Sequence, residues 1–217
     1  MLTAALFDFD GTLVDTTEMI FQSMRHATTS VLGRDDIPRE ELLANVGQPL
    51  PRQMEILDAE KAELLLESYR AHHEENHDDL IREFPGIAES LQRLRDAGVK
   101  VAVVTSKRRR SVEMALEALP SLDLVVDRFV TLEDTTEHKP NPEPLLRGLE
   151  LVGDVPKENA VYVGDSPFDV QAARAAGLRS VAVSWGAFSE DTLRQAEPDH
   201  LVPDIDSAVD VLLGGEL

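Results

Sequence analysis

Two aspartates, Asp8 and Asp10, stand one residue apart in the stretch ALFDFDGTLVDT, where the first apolar run of the chain ends. Two carboxylates this close repel each other, so the pair favours a nearby cation. Asp-Gly is also a common turn dipeptide, and acidic residues often lie at strand ends. A chemical role is favoured because further polar residues along the chain fit one chemistry.

Three more groups of polar residues lie where strands are expected to end. Thr105 and Ser106 follow VAVV, Lys139 stands in EHKPNPEP, and Asp165 and Asp169 stand in VGDSPFD. In a parallel sheet the carboxyl ends of the strands meet at one edge, where such folds place their sites. We therefore expect all four groups to surround one crevice.

Each group also has a purely structural interpretation. Thr105 and Ser106 could cap the next helix, and Asp169 could complete a capping box with Ser166. Lys139 could be exposed in a proline-rich loop. Asp165 is harder to explain in this way, because a carboxylate at the end of a buried strand needs a partner.

Together these residues supply several carboxylates, one ammonium group and a hydroxyl group. Hard oxygen ligands suit Mg²⁺, and the chain has no cysteine to offer a softer metal. A metal and Lys139 would neutralise a phosphoryl group, and an aspartate could attack it in line.

The elements that must position these residues alternate between strand and helix after residue 82. Apolar runs such as VKVAVVT, AVYVG and SVAVS are typical of buried parallel strands, and they are separated by segments with helical spacing. Strand one is predicted within Leu2 to Phe9. The pattern predicts an α/β fold, a doubly wound, Rossmann-like parallel sheet with helices on both faces.

Residues 16–81 interrupt this pattern with helical periodicity alone. One face carries Ile20, Met24, Ala27 and Val31, and another carries Ala62, Leu65, Leu66 and Tyr69. The segment is far longer than an ordinary connection of about 2–6 residues. We predict a helical cap domain at 16–81 inserted into a core domain formed by 1–15 and 82–217.

The bend GQPL and the arginine that follows it are expected to face the substrate from this cap domain. Gln48 and Arg52 are therefore the predicted specificity residues. The histidines of HHEENHDD are predicted to lie on a solvated helix face, and Trp185 is predicted to pack rather than to stack on a ligand.

Composition limits the partners. The chain of 217 residues has 21 Lys and Arg against 41 Asp and Glu, a formal charge of -20. Such a field disfavours nucleic acid and anionic membranes. No apolar run is long enough to span a bilayer. We expect a cytoplasmic monomer or homodimer that acts on a small phosphorylated substrate.

The motif residues carry a family resemblance. The stretch DFDGTLVDT, then Thr105, Lys139 and GDSPFD, match in order and in strand context the four motifs of the haloacid dehalogenase superfamily of phosphohydrolases. The match spans nearly the whole chain and includes the helical insertion after the first motif. VVTSKRR, KPNPEPL and VAVSWG resemble its phosphoglycolate phosphatase-like group, and SYRAHHEENHDDL and SVEMALEAL resemble the bacterial inorganic pyrophosphatases of that group.

The resemblance implies a role for each motif residue. Asp8 would be the nucleophile that forms an aspartyl-phosphate, and Asp10 the acid and then the base. The Asp10 carbonyl, Asp8, Asp165 and Asp169 would hold Mg²⁺. Thr105 and Lys139 would bind the transferring phosphate, with Ser106 beside them, at a position where relatives often have asparagine.

Three functions are consistent with these residues. The first is a Mg²⁺-dependent phosphatase acting on a small ester such as phosphoglycolate, or on pyrophosphate. A sugar phosphomutase would use the same residues and return the phosphoryl group to the sugar. A phosphoaspartate signalling receiver has similar groups, but a long-lived phosphoaspartate is incompatible with a base such as Asp10, and a receiver needs no helical insertion.

Overall fold

The computed structural model describes residues 1–214 and has a parallel sheet at its centre. Six strands form this sheet in the order β5-β4-β1-β6-β7-β8, and two further strands pair antiparallel with each other. The predicted doubly wound parallel fold is confirmed. The strands are β1 (Ala4–Phe7), β2 (Val14–Asp15), β3 (Arg82–Glu83), β4 (Lys100–Val104), β5 (Arg128–Val130), β6 (Ala160–Gly164), β7 (Arg179–Val183) and β8 (His200–Val202).

The helices cover both faces of the sheet and fill the segment between β2 and β3. A π-helical turn, Thr28–Leu32, extends the first helix, and 3₁₀ turns lie at Leu132–Asp134 and Lys157–Asn159. The α-helices are α1 (Thr17–Ala27), α2 (Arg39–Leu43), α3 (Leu50–Leu57), α4 (Ala62–Glu75), α5 (His77–Leu80), α6 (Ile87–Asp96), α7 (Arg109–Ala118), α8 (Pro120–Val125), α9 (Glu143–Leu151), α10 (Pro167–Ala176), α11 (Glu190–Gln195) and α12 (Ile205–Gly214).

Strand β1 lies in the middle of the sheet and is buried on both faces. Ala5 and Phe7 point into one apolar cluster, and Ala4 and Leu6 point into the cluster on the other side. This alternation is the two-residue period of a strand. It explains why the strand reads as a continuous apolar run, with no polar face.

The register of β1 aligns the ends of three neighbouring strands. Phe7 is paired with Val103 of β4 on one side and with Val163 of β6 on the other. The chain moves from β1 outward to β4 and β5, and then returns to β6 on the opposite side of β1. This reversal opens a crevice at the carboxyl ends of β1, β4 and β6.

Helices α1 to α4 have an apolar cluster of their own. Ile20, Met24, Leu65 and Tyr69 are buried in it, as the predicted helical faces require. Ala187 and Phe188, in the loop after β7, pack against the same cluster. This segment therefore rests on the crevice side of the sheet.

Three strands were missed by the sequence analysis. Strands β2 and β3 have two residues each, too few for a detectable period, and they pair where the chain enters and leaves the helical segment. Strand β8 lies at the edge of the sheet, between two weakly patterned helices. None of the helices in residues 1–214 combines the length and the apolar character needed to cross a membrane.

Gly148 allows α9 to approach the sheet closely. A Cβ atom at this position would lie 2.8 Å from Val104 Cγ2 and 3.3 Å from Leu6 Cδ1. We expect Gly148→Val to reduce the free energy of unfolding by about 1–3 kcal/mol through overpacking, as measured by urea denaturation.

Gly214→Ala is the matched control, because an added methyl group there meets no atom within 4 Å. It should change the free energy of unfolding by less than about 0.5 kcal/mol. Equal stability of the Gly148→Val variant and the wild type would contradict the packing described for α9.

Candidate active site

The carboxyl ends of β1 and β6 bring three predicted metal ligands together. Carboxylate oxygens of Asp8, Asp165 and Asp169 all lie within 4.8 Å of one another, and all three side chains are buried. Asp8 directly follows β1, and its amide donates to the carbonyl of Val163 at 2.8 Å. The strand register therefore places the nucleophile candidate beside the other two acids.

Lys139 reaches this cluster from the loop before α9. Its Nζ lies 2.7 Å from Asp169 Oδ1 and 3.0 Å from Asp8 Oδ1, and it donates to the Tyr162 hydroxyl at 2.9 Å. Burial opposes the charge of Lys139, but the carboxylates of Asp169 and Asp8 outweigh it and raise its pKa. The side chain is 1 % exposed, so an exposed loop lysine is the wrong interpretation.

Asp169 forms the predicted capping box and also faces the acidic cluster. Its Oδ2 accepts from the amide and the hydroxyl of Ser166, at 3.0 and 2.6 Å, in the capping box that begins α10. Its other oxygen, Oδ1, bonds Lys139. The cap thus fixes the carboxylate in an orientation that faces the cluster.

Asp165 occupies a position closed in by glycines. Its Oδ2 accepts from the amide of Ala187 at 2.9 Å. A Cβ at Gly11 would lie 2.3 Å from that oxygen, and a Cβ at Gly186 would lie 2.1 Å from it. Real side chains cannot approach so closely, so glycine at both positions makes room for the carboxylate.

The cluster carries more negative charge than its lysine can balance. Burial raises the pKa of Asp8 to about 7, with Lys139 opposing the shift and Asp169 adding to it. Burial and the charges of Asp169 and Asp8 raise the pKa of Asp165 well above its usual value. A divalent cation among the three carboxylates would relieve this repulsion, and a set of oxygen ligands fits Mg²⁺.

The side chain of Asp10 lies outside this cluster and is paired with Lys107. Lys107 Nζ donates to Asp10 Oδ1 at 2.7 Å. Burial would raise the pKa of Asp10, but the charge and hydrogen bond of Lys107 outweigh burial and lower it. The sequence analysis did not predict this pair, although KRRR begins only three residues after the last residue of β4.

Thr105 and Ser106 also lie at the crevice. Thr105 is buried, and its hydroxyl accepts a hydrogen bond from the amide of Lys107 at 3.1 Å in a local turn. Thr105 and Asp8 line the same cavity. The Ser106 hydroxyl donates to the carbonyl of Gly47 at 2.7 Å. Ser106 therefore ties the sheet to the bend of the helical segment.

The predicted bend between α2 and α3 faces the crevice. Gly47 has a φ of +99°, and a Cβ there would lie 2.6 Å from Ser166 Oγ. Gln48 lines the same cavity as Asp8 and Asp10, and its carbonyl accepts from Gln53 Nε2 at 2.7 Å. The bend is thus close enough to the core to be one wall of the site.

The structure does not bring Arg52 to this cavity. Its guanidinium group pairs with Glu55 at 2.9 Å, and the side chain is 61 % exposed. Two other arginines line the cavity instead, Arg70 from α4 and Arg108 from the start of α7. The position of Arg70 depends on how α4 packs against α1 and α3, which the sequence pattern does not specify.

The histidines of HHEENHDD are not a solvated face, and that prediction is wrong for two of them. His73 and His77 are buried, and His72 is partly exposed and lies 3.1 Å from Ser23 Oγ through Nδ1. His73 lines the cavity, and burial together with the charge of Lys107 lowers its pKa to about 3. It is therefore a neutral group in the wall.

Trp185 packs as predicted. Its ring meets Phe84 edge to face at 6.4 Å between centroids, and its Nε1 donates to the carbonyl of Thr12 at 3.1 Å. It thus supports the loop that follows Asp8 and Asp10.

Comparison with known proteins links this geometry to one family. The family profile described as haloacid dehalogenase-like hydrolase matches residues 5–183. A protein of Bacillus cereus named pyrophosphatase PpaX is 36% identical over 211 residues, covering 97% of this chain and 96% of its own. A relative in Caldanaerobacter subterraneus subsp. tengcongensis, provisionally named pyrophosphatase PpaX, is 40% identical over 213 residues, covering 98% and 96%.

Solved structures share the fold. A hydrolase from Pseudomonas syringae superposes with a TM-score of 0.84 at 24% identity, covering 99% of this chain and 98% of its own. A haloacid dehalogenase-like family protein from Streptococcus pneumoniae has a TM-score of 0.82 at 21% identity, covering 96% and 97%.

The elevated pKa of Asp8 predicts pH-dependent metal binding. Below pH 7 the metal-free carboxyl group holds a proton that a cation must displace, whereas above pH 7 it is ionised. We expect the apparent Kd for Mg²⁺ to rise about fivefold between pH 7 and pH 6, measured by calorimetry.

Calorimetry in buffers of different ionisation enthalpy counts the protons released on binding. Asp8→Asn should bind more weakly and release fewer protons at pH 6.5 than the wild type. A Kd that is the same at pH 6 and pH 8 would contradict this account of the cluster.

Proposed function

The chain belongs to the haloacid dehalogenase-like hydrolases, and within this family we propose that it is a Mg²⁺-dependent phosphohydrolase that forms an aspartyl-phosphate on Asp8. The observation that carries the proposal is the buried cluster of Asp8, Asp165, Asp169 and Lys139 at the carboxyl ends of β1 and β6. Such a cluster has no structural advantage over apolar packing, so a chemical role accounts for it better.

The first step is attack by a carboxylate oxygen of Asp8 on the phosphorus atom of the substrate. The new Oδ–P bond forms as the P–O bond to the leaving group breaks, and the electron pair goes to the leaving oxygen. Asp10 gives that oxygen a proton. Lys139, beside Asp8, balances the charge of the phosphoryl oxygens.

The second step returns the enzyme to its starting state. Asp10, now ionised, takes a proton from water, which attacks the phosphorus and releases phosphate from Asp8. The ion pair with Lys107 favours the ionised form of Asp10, as the base of this step requires. The acid of the first step requires the protonated form, which the negative charge of a bound phosphoryl group would favour. Thr105 lies in the wall beside Asp8, where its hydroxyl would hold a phosphoryl oxygen.

Asp8, Asp165, Asp169 and the carbonyl of Asp10 would hold Mg²⁺. The ion would neutralise the charge of the phosphoryl oxygens. The close fit of Gly11 and Gly186 around Asp165 supports this assignment, because it fixes one ligand in place.

We propose that residues 16–81 act as a cap domain over a core of 1–15 and 82–217. The contacts from Gly47 to Ser106 and Ser166 support a closed position that limits both water and space at Asp8. A small substrate is favoured over a macromolecule for this reason.

Inorganic pyrophosphate is the first substrate to test, since the two relatives described above, which match nearly the whole chain, are named pyrophosphatases. A small ester such as phosphoglycolate is the second. A phosphate-release screen over pyrophosphate, phosphoglycolate, hexose phosphates and nucleotides tests the proposal. Conversion of a sugar phosphate without phosphate release would instead favour a mutase.

We expect Asp8→Asn to abolish phosphate release while the fold is retained. An amide of the same size is a far poorer nucleophile and metal ligand. Release is measured with saturating Mg²⁺, and folding by circular dichroism. Asp123→Asn, an exposed aspartate on α8, is the control and should keep full activity. Turnover by Asp8→Asn at the wild-type rate would rule out the covalent mechanism.

We also expect activity to require Mg²⁺ and to be lost when Ca²⁺ replaces it. Ca²⁺ takes more ligands at longer distances, about 2.3–2.6 Å against about 2.1 Å, so it disturbs the in-line geometry. Phosphate release is assayed after chelation and then after addition of each ion. Full activity in chelator, or with Ca²⁺ alone, would contradict the metal assignment.

A further inference from the structure

Arg70 extends from α4 into the cavity with a hydrogen-bonding group that has no partner. The residue lines the cavity together with Asp8, and its Nε is buried without a hydrogen-bond partner among residues 1–214. The acid one turn further along α4, Glu74, is engaged by Arg108. A buried donor in this state is unfavourable until an acceptor reaches it.

Arg108 approaches the same cavity from the other side. It precedes α7, in the core of the fold, and it also donates from Nε to the Ser111 hydroxyl at 3.2 Å. Burial, and then the charge of Arg108, lower the pKa of Arg70. Guanidinium groups stay protonated in proteins, so two like charges lie near each other across the cavity.

The two carboxylates that line the cavity, those of Asp8 and Asp10, already have lysine partners. Asp8 is paired with Lys139, and Asp10 is paired with Lys107. Arg70, by contrast, has a buried Nε without a hydrogen-bond partner among residues 1–214, inside a chain whose formal charge is -20. A cationic wall in so acidic a protein favours an anion as its partner.

We propose that Arg70 and Arg108 bind the leaving group of the substrate, and that this leaving group is a multiply charged anion such as the second phosphate of pyrophosphate. The inference rests on the proposed function, which places the transferring phosphoryl group at Asp8. The remainder of the substrate then extends toward the wall formed by α4 and the start of α7, where Arg70 and Arg108 lie.

The arginines match a phosphate better than a carboxylate. Each guanidinium group offers a fork of donors, and Arg108 shares its own with Glu74. A phosphate has oxygens for both forks, whereas the single carboxylate of a glycolate leaving group satisfies only one. When the bond to the bridging oxygen breaks, the electron pair adds charge to the leaving phosphate, so the arginines act on kcat as well as on KM.

The test compares leaving groups in the variant Arg70→Gln. We expect kcat/KM for pyrophosphate to fall by at least about tenfold, for phosphoglycolate by less, and for p-nitrophenyl phosphate by less than about twofold. Arg70→Lys, which keeps the charge without the fork, should be intermediate for pyrophosphate. It also replaces Arg70→Gln if thermal unfolding shows that the glutamine variant is not folded.

Arg34→Gln is the matched control. It makes the same change of charge in the same helical segment, but Arg34 is an exposed side chain paired with Asp36, away from the cavity. All three substrates should be hydrolysed by this variant at wild-type rates. A general electrostatic effect of the substitution would instead appear in both variants.

Binding of methylenediphosphonate, a pyrophosphate analogue that is not hydrolysed, supplies a readout without turnover. Calorimetry should show weaker binding to Arg70→Gln than to the wild type or to Arg34→Gln. The inference is overturned if Arg70→Gln binds the analogue normally, or if it loses equal activity on all three substrates. The proposed function fails separately, if the wild type releases phosphate from none of them.

Discussion

The ammonium group of Lys139 holds the buried end of the sheet together. It lies within hydrogen-bonding distance of Asp8 and Asp169, and Asp165 completes a group of carboxylates that one lysine cannot neutralise. The neighbouring structure is arranged around this charge. Tyr162 and the capping box of α10 orient the pair, and glycines make room for Asp165. The site thus carries an excess of negative charge that a bound cation would relieve, and that cation would in turn attract a phosphoryl group.

This part of the site could be located from the sequence because the apolar pattern of a buried strand shows where the strand ends. Asp8 and Asp165 follow apolar runs that can only be central strands, so their convergence follows from the topology. Asp169 and Lys139 were predicted because they stand where strands were expected to end and because they match motifs of the family that the sequence resembles. Each of these positions can be predicted from a local sequence pattern and from the rule that the carboxyl ends of parallel strands meet at one edge of the sheet.

The opposite wall could not be predicted in the same way. Arg70 and His73 line the cavity from α4, which packs against α1 and α3, and Lys107 lines it from the loop after β4. Helical periodicity shows which face of α4 is apolar, but not what that face covers. For the same reason Arg52, which is adjacent to the correct bend, points to solvent and pairs with Glu55. The sequence analysis did not predict strand β8, because an edge strand needs few apolar residues.

The two-residue strands β2 and β3 have a consequence for how such proteins diversify. They pair Val14 with Glu83 and Asp15 with Arg82, so the chain leaves the sheet and returns to it at adjacent points. Any folded segment whose ends lie side by side can be grafted onto this junction without disturbing the strands. Replacement of the segment inserted at this junction would therefore change the range of ligands while the reacting groups stay in place.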